Sequence, residues 1–106
     1  MKRVRLRPRA DRDVDLAIAH LLADSPATAQ QFLRELEAAL SRIAQRPAIG
    51  SPRYSYLLKG LRVWPLRRFP YLVFYLRRPS HLDVIRVLHG ARDIPAALQR
   101  GHKAAR

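Results

Sequence analysis

Two apolar stretches late in the chain decide the fold: residues 69–75, FPYLVFY, and residues 84–93, VIRVLHGARD. Both are rich in β-branched and aromatic side chains, so each predicts a β-strand. The second stretch continues past a glycine into a polar cluster of His89, Arg92 and Asp93. Apolar strands arise from many sequences, but a strand that leads directly into His-Gly-Ala-Arg-Asp is far less common. The pair is therefore the most distinctive part of the chain.

The neighbouring residues extend this pair into a small sheet. A strand is predicted over 60–69, where Pro65 indicates a bulge or an edge. Further strands are predicted over 71–77 and 82–88, with a hairpin loop over 78–81. Strands joined by short connections are antiparallel. Near the start, residues 3–7 alternate basic and apolar side chains, which predicts a short edge strand closed by Pro8.

Between the first strand and the others, apolar residues recur at helical spacing. Residues 10–24 predict one amphipathic helix and residues 27–45 a longer one. Ser25 is a good N-cap, and Pro26 fits the first position of the second helix. The order β-α-α-β-β-β predicts an α+β domain, with a helical hairpin packed on a small, mainly antiparallel sheet. We expect one domain over 1–98, with a helical turn at 96–99, and a basic flexible tail over 99–106.

Composition narrows the class of protein. A chain of 106 residues with 48% hydrophobic side chains is long and apolar enough for one folded domain. It has no cysteine, which removes disulfides and thiolate chemistry. No apolar run approaches the ~20 residues of a membrane span. We expect a soluble, cytoplasmic protein.

The net charge of +13 is unevenly distributed along the chain. Residues 46–106 carry eleven of these charges, because Asp83 and Asp93 are their only acids. A GC-rich genome would explain why Arg outnumbers Lys, but it does not explain the missing acids. Such a field favours polyanions or an acidic protein partner.

Cofactor and metal chemistry have little support. The four histidines show no ligand spacing, and the second half has almost no carboxylates for a paired acid–base site. The serines fall at turns or caps, and there is no glycine-rich phosphate loop. We expect neither a cofactor nor a metal.

Two groups of residues are candidates for binding. The first is an arginine–tryptophan patch, which suits phosphate binding and base stacking or a protein interface. It also fits a solvated strand face with the tryptophan turned into the core. Strand alternation puts Arg62, Trp64, Leu66 and Arg68 on one side unless Pro65 shifts the register. The patch consists of Arg62, Trp64, Arg67 and Arg68.

The second group lies at the end of the last strand. His89 and Arg92 could face a target. Alternatively, Arg92 and Asp93 form an ion pair that fixes the chain as it leaves the sheet, and His89 caps the strand. On the neighbouring strand, Tyr71 and Tyr75 share a face with Val73, where we expect core packing.

The chain resembles the RelE/ParE superfamily of bacterial toxins, and within it the ParE-like branch. The likeness covers almost the whole chain, from Val4 to about Leu98, and rests on the order and spacing of its pieces. These pieces are residues 13–22, 29–33 (AQQFL), 40–50 with Pro47 and Gly50, 60–62 (GLR), 69–75 (FPYLVFY) and 86–93 (RVLHGARD).

The resemblance implies the toxin of a type II toxin–antitoxin pair. Its partners would be a ParD-like antitoxin with an acidic C-terminal segment and DNA gyrase as the target. Toxin and antitoxin would form a hetero-oligomer, with no membrane involved. From the two candidate groups above, our own hypothesis is that the target-binding residues are Arg62, Trp64, Arg67, Arg68, His89 and Arg92, none of them catalytic.

The alternative is a RelE-like, ribosome-dependent endoribonuclease that cuts mRNA. It would use His89, Arg67 and Arg62 as catalytic residues, with Lys59 and Arg86 also available to bind RNA. The late tyrosine of such nucleases is missing, since the chain reads DIPAA over 93–97, and Gly90 and Ala91 stand where those relatives tend to be basic. A third alternative is an inactive relative that survives as a binding module.

Overall fold

A four-stranded sheet of order β1-β4-β3-β2 forms the centre of the molecule. The structure is a computed structural model that describes residues 1–104, and the side chains of residues 1–99. Strand β1 runs parallel to β4, and the β2–β3 and β3–β4 pairs are antiparallel. The elements along the chain are β1 (Arg3–Leu6), α1 (Pro8–Leu22), α2 (Pro26–Gln45), β2 (Arg62–Pro65), β3 (Tyr71–Arg77), β4 (His81–His89) and α3 (Ile94–Ala104).

This arrangement confirms the predicted α+β class, the helical hairpin and the edge position of β1. Pro8 is the first residue of α1, where the missing N–H of proline costs nothing, so the helix begins two residues earlier than predicted. The second helix begins as expected, because the Ser25 hydroxyl accepts a hydrogen bond from the Thr28 N–H at 3.1 Å. Strand β2 is much shorter than the predicted strand over 60–69, since it ends at Pro65.

Both faces of the sheet are covered. Alternate residues of β3 divide between them, with Val73 and Tyr75 facing the α1–α2 hairpin. Phe74 and Leu76 face a second cluster, which contains buried residues of α3 and half-buried residues of the segment between α2 and β2. The C-terminal helix is therefore a packing element and is longer than the single turn predicted at 96–99. Residues 105–106, the end of the predicted flexible tail, lie outside the described part.

A buried ion pair links the two helical layers through the sheet. The pairing of β3 with β4 shifts between Phe74 and Tyr75, which brings Arg86 opposite Phe74. Arg86 donates to both carboxylate oxygens of Asp13 in α1, at 2.7 and 2.9 Å, and to the Ala97 carbonyl in α3 at 2.9 Å. Asp13 also accepts from a backbone N–H of β4. The pair thus joins α1, β4 and α3 at one point.

The loop that follows α2 is held by two side chains from the sheet. The hydroxyl of Tyr75, which is fully buried, donates to the Pro47 carbonyl at 2.8 Å and accepts from the Gly50 N–H at 2.9 Å. Arg62 donates to the carbonyls of Ala48 and Gly50 at 3.1 and 2.6 Å. A Cβ atom at Gly50 would lie only 2.6 Å from the tyrosine oxygen, so only glycine fits there.

Within residues 1–104, no helix has the length and apolar character needed to cross a bilayer.

Candidate binding site at one end of the sheet

The turn between β2 and β3 meets the end of β4. Tyr71 opens β3 and pairs with His89, the last residue of β4. The Gly90 N–H donates to the Pro70 carbonyl at 2.7 Å, and the Leu66 N–H donates to the Tyr71 carbonyl at 2.9 Å. These backbone contacts bring residues that are distant in sequence to one end of the sheet.

Four basic or titratable residues therefore share this end. Arg67 and Arg68 lie in the turn after β2 and are exposed. Arg92 is also exposed and follows β4, while His89 is half-buried. We call this group the basic end of the sheet, and it consists of Arg67, Arg68, His89 and Arg92.

The turn that carries the two adjacent arginines is anchored to the helical hairpin. The backbone N–H of Arg68 donates to a carboxylate oxygen of Glu35 in α2 at 3.1 Å. Phe69 packs edge-on against Phe32 of the same helix, with ring centroids 5.7 Å apart. Because the backbone and the aromatic ring are fixed, the arginine side chains project from an ordered turn.

Arg62 and Trp64 share one face of β2, which is the face toward the helical hairpin. Trp64 is half-buried and packs against the hairpin-side core, while Val63 belongs to the opposite cluster. The predicted alternation of these two residues is confirmed, and Pro65 ends the strand after them. Leu66 is buried in the same core, but Arg68 lies beyond the strand in the turn.

The structure places Arg62 away from the basic end of the sheet. It pairs with Tyr75 in the β2–β3 ladder, whereas His89 pairs with Tyr71. The two positions are four residues apart on β3, which is about 13 Å along the strand. Its guanidinium already binds the carbonyls of Ala48 and Gly50. Arg62 therefore shapes the loop after α2.

His89 has a defined tautomer. The Ala91 N–H donates to His89 Nδ1 at 3.0 Å, so Nδ1 is an acceptor and the proton of the neutral ring lies on Nε2. The imidazole packs edge-on against the Tyr71 ring with centroids 5.2 Å apart. His89 thus presents an N–H donor, and its acceptor nitrogen is already occupied.

The predicted ion pair between Arg92 and Asp93 does not form within the described part of the chain. Asp93 instead begins the last helix, because its carboxylate accepts from the Ala96 N–H at 3.2 Å and its carbonyl from the Ala97 N–H. The guanidinium of Arg92 remains exposed at the basic end. The chain is fixed after the strand by a helix cap.

Arg86 was predicted as a residue that RNA could reach, and this is wrong. Its side chain is only 4% exposed and is bound to the Asp13 carboxylate and the Ala97 carbonyl. The sequence held a signal for this pair. Asp13 falls among Ala10, Val14 and Ala17, the other buried residues of α1, and Arg86 interrupts an otherwise apolar strand. Because a buried charge needs a partner, an acid and an arginine on two buried faces are expected to pair with each other.

Tyr71 and Tyr75 are both buried, as expected, but their hydroxyls differ. Tyr75 makes two hydrogen bonds, and burial raises its pKa, against the lowering effects of the Gly50 N–H and nearby arginines. Burial also raises the pKa of Tyr71. Both phenols are therefore neutral and can donate at physiological pH.

The opposite end of the β3–β4 pair carries a separate charged cluster. Asp83 is buried and accepts from Arg78 Nε at 3.0 Å, and it lies 3.0 Å from His81 Nε2. Burial alone would raise the pKa of Asp83, but the hydrogen bonds from these two partners outweigh it and hold the pKa below its usual value. This cluster stabilises the β-hairpin formed by β3 and β4. Groups of three or more side chains able to hold a metal ion are absent from the described residues.

Comparisons with known proteins identify the family. Comparison with curated proteins gives no match. A solved structure described as the chromosomal ParDE TA system from P. aeruginosa is similar in fold, with a TM-score of 0.71 and 19% sequence identity. The similarity covers 84% of this chain and 96% of that chain. A family model described as "ParE toxin of type II toxin-antitoxin system, parDE" matches residues 4–94. The chain therefore belongs to the ParE toxin family of type II toxin–antitoxin systems.

Proposed function

We propose that this ParE-family toxin inhibits DNA gyrase by protein–protein contact and that a cognate antitoxin neutralises it. The observation that carries the proposal is the basic end of the sheet. It presents three exposed arginines and a histidine N–H donor on ordered backbone, without an assembled acid–base pair. Such a surface binds an acidic partner, and gyrase and the antitoxin both act in the cytoplasm, where we place the toxin.

Charge supports binding. Residues 46–106 hold eleven of the thirteen net positive charges, and one of their two acids, Asp83, is buried in an ion-paired cluster. The other, Asp93, is engaged as a helix cap. The net charge of this half is therefore strongly positive, with Glu35 of α2 and Asp93 lying beside the basic end. A positive field of this kind accelerates encounter with an acidic surface.

The geometry favours binding over RNA cleavage. The three residues that a nuclease would use are not gathered, because Arg62 lies about 13 Å from His89 along the strand direction. His89 Nδ1 already accepts the Ala91 N–H, so this nitrogen is not available as a general base. Arg86 is buried and cannot approach a phosphate. Arg67 and His89 lie at the same end of the sheet, a placement that suits recognition.

We assign the antitoxin contact to the helical hairpin and the basic half of the chain. Leu16 and Leu22 of α1 are 61% and 50% exposed, and Leu33 of α2 is 36% exposed. Leucines exposed on neighbouring helices suit the apolar anchors of a segment that folds on binding. The acidic residues of that segment would meet the positive field. The toxin and antitoxin would form a hetero-oligomer.

Charge reversal tests the target-binding role. Replacing Arg67 and Arg68 together with glutamate should abolish growth inhibition, because four units of charge change on exposed side chains. The fold should survive, since the contact of Arg68 with Glu35 uses the backbone N–H. The measurement is colony formation after induced expression without antitoxin, with the melting temperature of the purified variant.

The matched control replaces Arg34 and Arg42, two exposed arginines of α2, with glutamate. This variant has the same net charge as the test variant and should remain toxic. Equal toxicity of the wild type and the Arg67→Glu, Arg68→Glu variant would exclude the basic end as the target surface. Equal loss in both variants would mean that net charge alone is responsible.

A further inference from the structure

A small pocket of about 140 Å³ opens beside the basic end of the sheet. Its wall includes Leu16 of α1, Tyr71 of β3, and His89 and Arg92 at the end of β4. The pocket is thus built from a helix, two strands and the segment before α3, and Asp13, which pairs with Arg86, forms part of its wall.

One buried polar group that lines the pocket is the Tyr71 phenol, which has no partner among the described residues. Tyr71 is only 8% exposed, yet its hydroxyl makes no hydrogen bond to any described residue. This contrasts with Tyr75 on the same face, whose hydroxyl makes two. In the described part of the chain, every fully enclosed side-chain nitrogen or oxygen has a partner. The Tyr71 hydroxyl therefore reaches open space, and the pocket is the space that its side chain lines.

The other polar groups of the pocket are also donors. His89 carries its proton on Nε2, because Nδ1 accepts the Ala91 N–H. Arg92 adds an exposed guanidinium, a group that can donate two parallel hydrogen bonds to one carboxylate. The remaining acid in the wall, Asp13, already accepts from Arg86 and from the Val87 N–H. The pocket offers donors on three side chains and lacks a free acceptor to pair with them.

The rest of the wall is apolar. Leu16 is 61% exposed, and Ala17 and Val87 line the pocket beside it. A carboxylate on a short aliphatic arm satisfies the donors and covers this wall at the same time. A phosphodiester would bring sugars on both sides of the phosphate into a space of only about 140 Å³. The apolar wall and the size together favour an acidic side chain.

We propose that this pocket binds an aspartate or glutamate side chain of a protein partner, with an aliphatic neighbour of that residue covering Leu16. Tyr71, His89 and Arg92 donate to the carboxylate. The inference rests on the proposed function only for the identity of the partner, which that function makes the acidic antitoxin. The chemistry of recognition follows from the pocket itself.

The test titrates full-length protein, labelled for NMR, with the capped peptide acetyl-Leu-Glu-Leu-amide. The matched probe is acetyl-Leu-Gln-Leu-amide, which has the same shape without the charge. We expect the glutamate peptide to shift the resonances of Tyr71 and His89 and to bind at least about tenfold more tightly than the glutamine peptide. Replacing Tyr71 with Phe should weaken binding of the glutamate peptide by about tenfold while leaving stability unchanged, because the hydroxyl has no partner among the described residues.

Tyr75→Phe is the control variant, and it should lose stability but keep the affinity for the glutamate peptide. Equal binding of the two peptides, or no binding of either, would overturn the proposal. Tighter binding of inorganic phosphate or of a short single-stranded RNA would also overturn it, in favour of a phosphate site. The titration contains no gyrase, so its failure is distinct from a failure of the proposed target.

Discussion

The buried ion pair between Asp13 and Arg86 gives the sharpest prediction about stability. Asp13 is 9% and Arg86 4% exposed, and four hydrogen bonds of 2.7–3.0 Å link them to each other, to β4 and to α3. Replacing Arg86 with Met removes three of these bonds. The Asp13 carboxylate is then left buried with the Val87 N–H, and the Ala97 carbonyl is left without its donor.

Breaking a buried pair from one side costs about 3–5 kcal/mol, because an uncompensated charge remains in the interior. Domains of this size are stable by about 5–15 kcal/mol, so the loss is a large part of the total. We expect Arg86→Met to lower the free energy of unfolding by about 4 kcal/mol. Urea denaturation followed by circular dichroism measures this, with an unchanged slope of free energy against denaturant.

A second variant separates the charge from the lost contacts. Asn at position 13 keeps an oxygen for the Val87 N–H but carries no charge. The double variant Asp13→Asn, Arg86→Met should therefore be more stable than Arg86→Met alone by about 2 kcal/mol or more. The reasoning fails if Arg86→Met costs less than about 1 kcal/mol, or if the double variant is no more stable than the single one.

Two further predictions concern other buried groups. Tyr75→Phe should lower the free energy of unfolding by about 1–3 kcal/mol, because it leaves the Gly50 N–H without its acceptor. Gly50→Ala should also destabilise the fold, because the added Cβ would meet the tyrosine oxygen. Thermal unfolding measures both variants, and unchanged stability would contradict the loop geometry. The lowered pKa of Asp83 means that its contribution to stability is present at neutral pH and is lost as pH falls through that pKa. The stability difference between wild type and Asp83→Asn should therefore shrink below pH about 4, and a constant difference down to pH about 2 would contradict this.

Most of the fold follows from local patterns in the sequence. Helical spacing of apolar residues predicts both helices of the helical hairpin, and runs of β-branched and aromatic side chains predict β3 and β4. The cap at Ser25 was visible because it depends only on neighbouring residues. Boundaries that depend on tertiary contacts were missed. The strand predicted over 60–69 ends early because the chain turns at Leu66, whose N–H donates to the Tyr71 carbonyl. Helix α3 extends beyond the predicted turn because it packs on the sheet.

The site was predictable only in part, for the same reason. The sequence indicated which arginines and which histidine to consider, and the strand ends then brought Arg67 and His89 together. Roles that depend on a distant partner were not visible. Arg62 binds a loop fourteen residues away, and Arg86 binds an acid on a helix at the other end of the chain. Charge along the sequence does not distinguish an exposed arginine from one with a buried partner.

The most direct test of the proposed target is a supercoiling assay with purified toxin, gyrase and plasmid, run beside a translation reaction with ribosomes and mRNA. We predict loss of supercoiling or trapped cleaved DNA, with the mRNA intact, and no effect from the Arg67→Glu, Arg68→Glu variant. Cleaved mRNA with unaffected gyrase would contradict the account, and would make the protein an endoribonuclease in which His89 has a catalytic role.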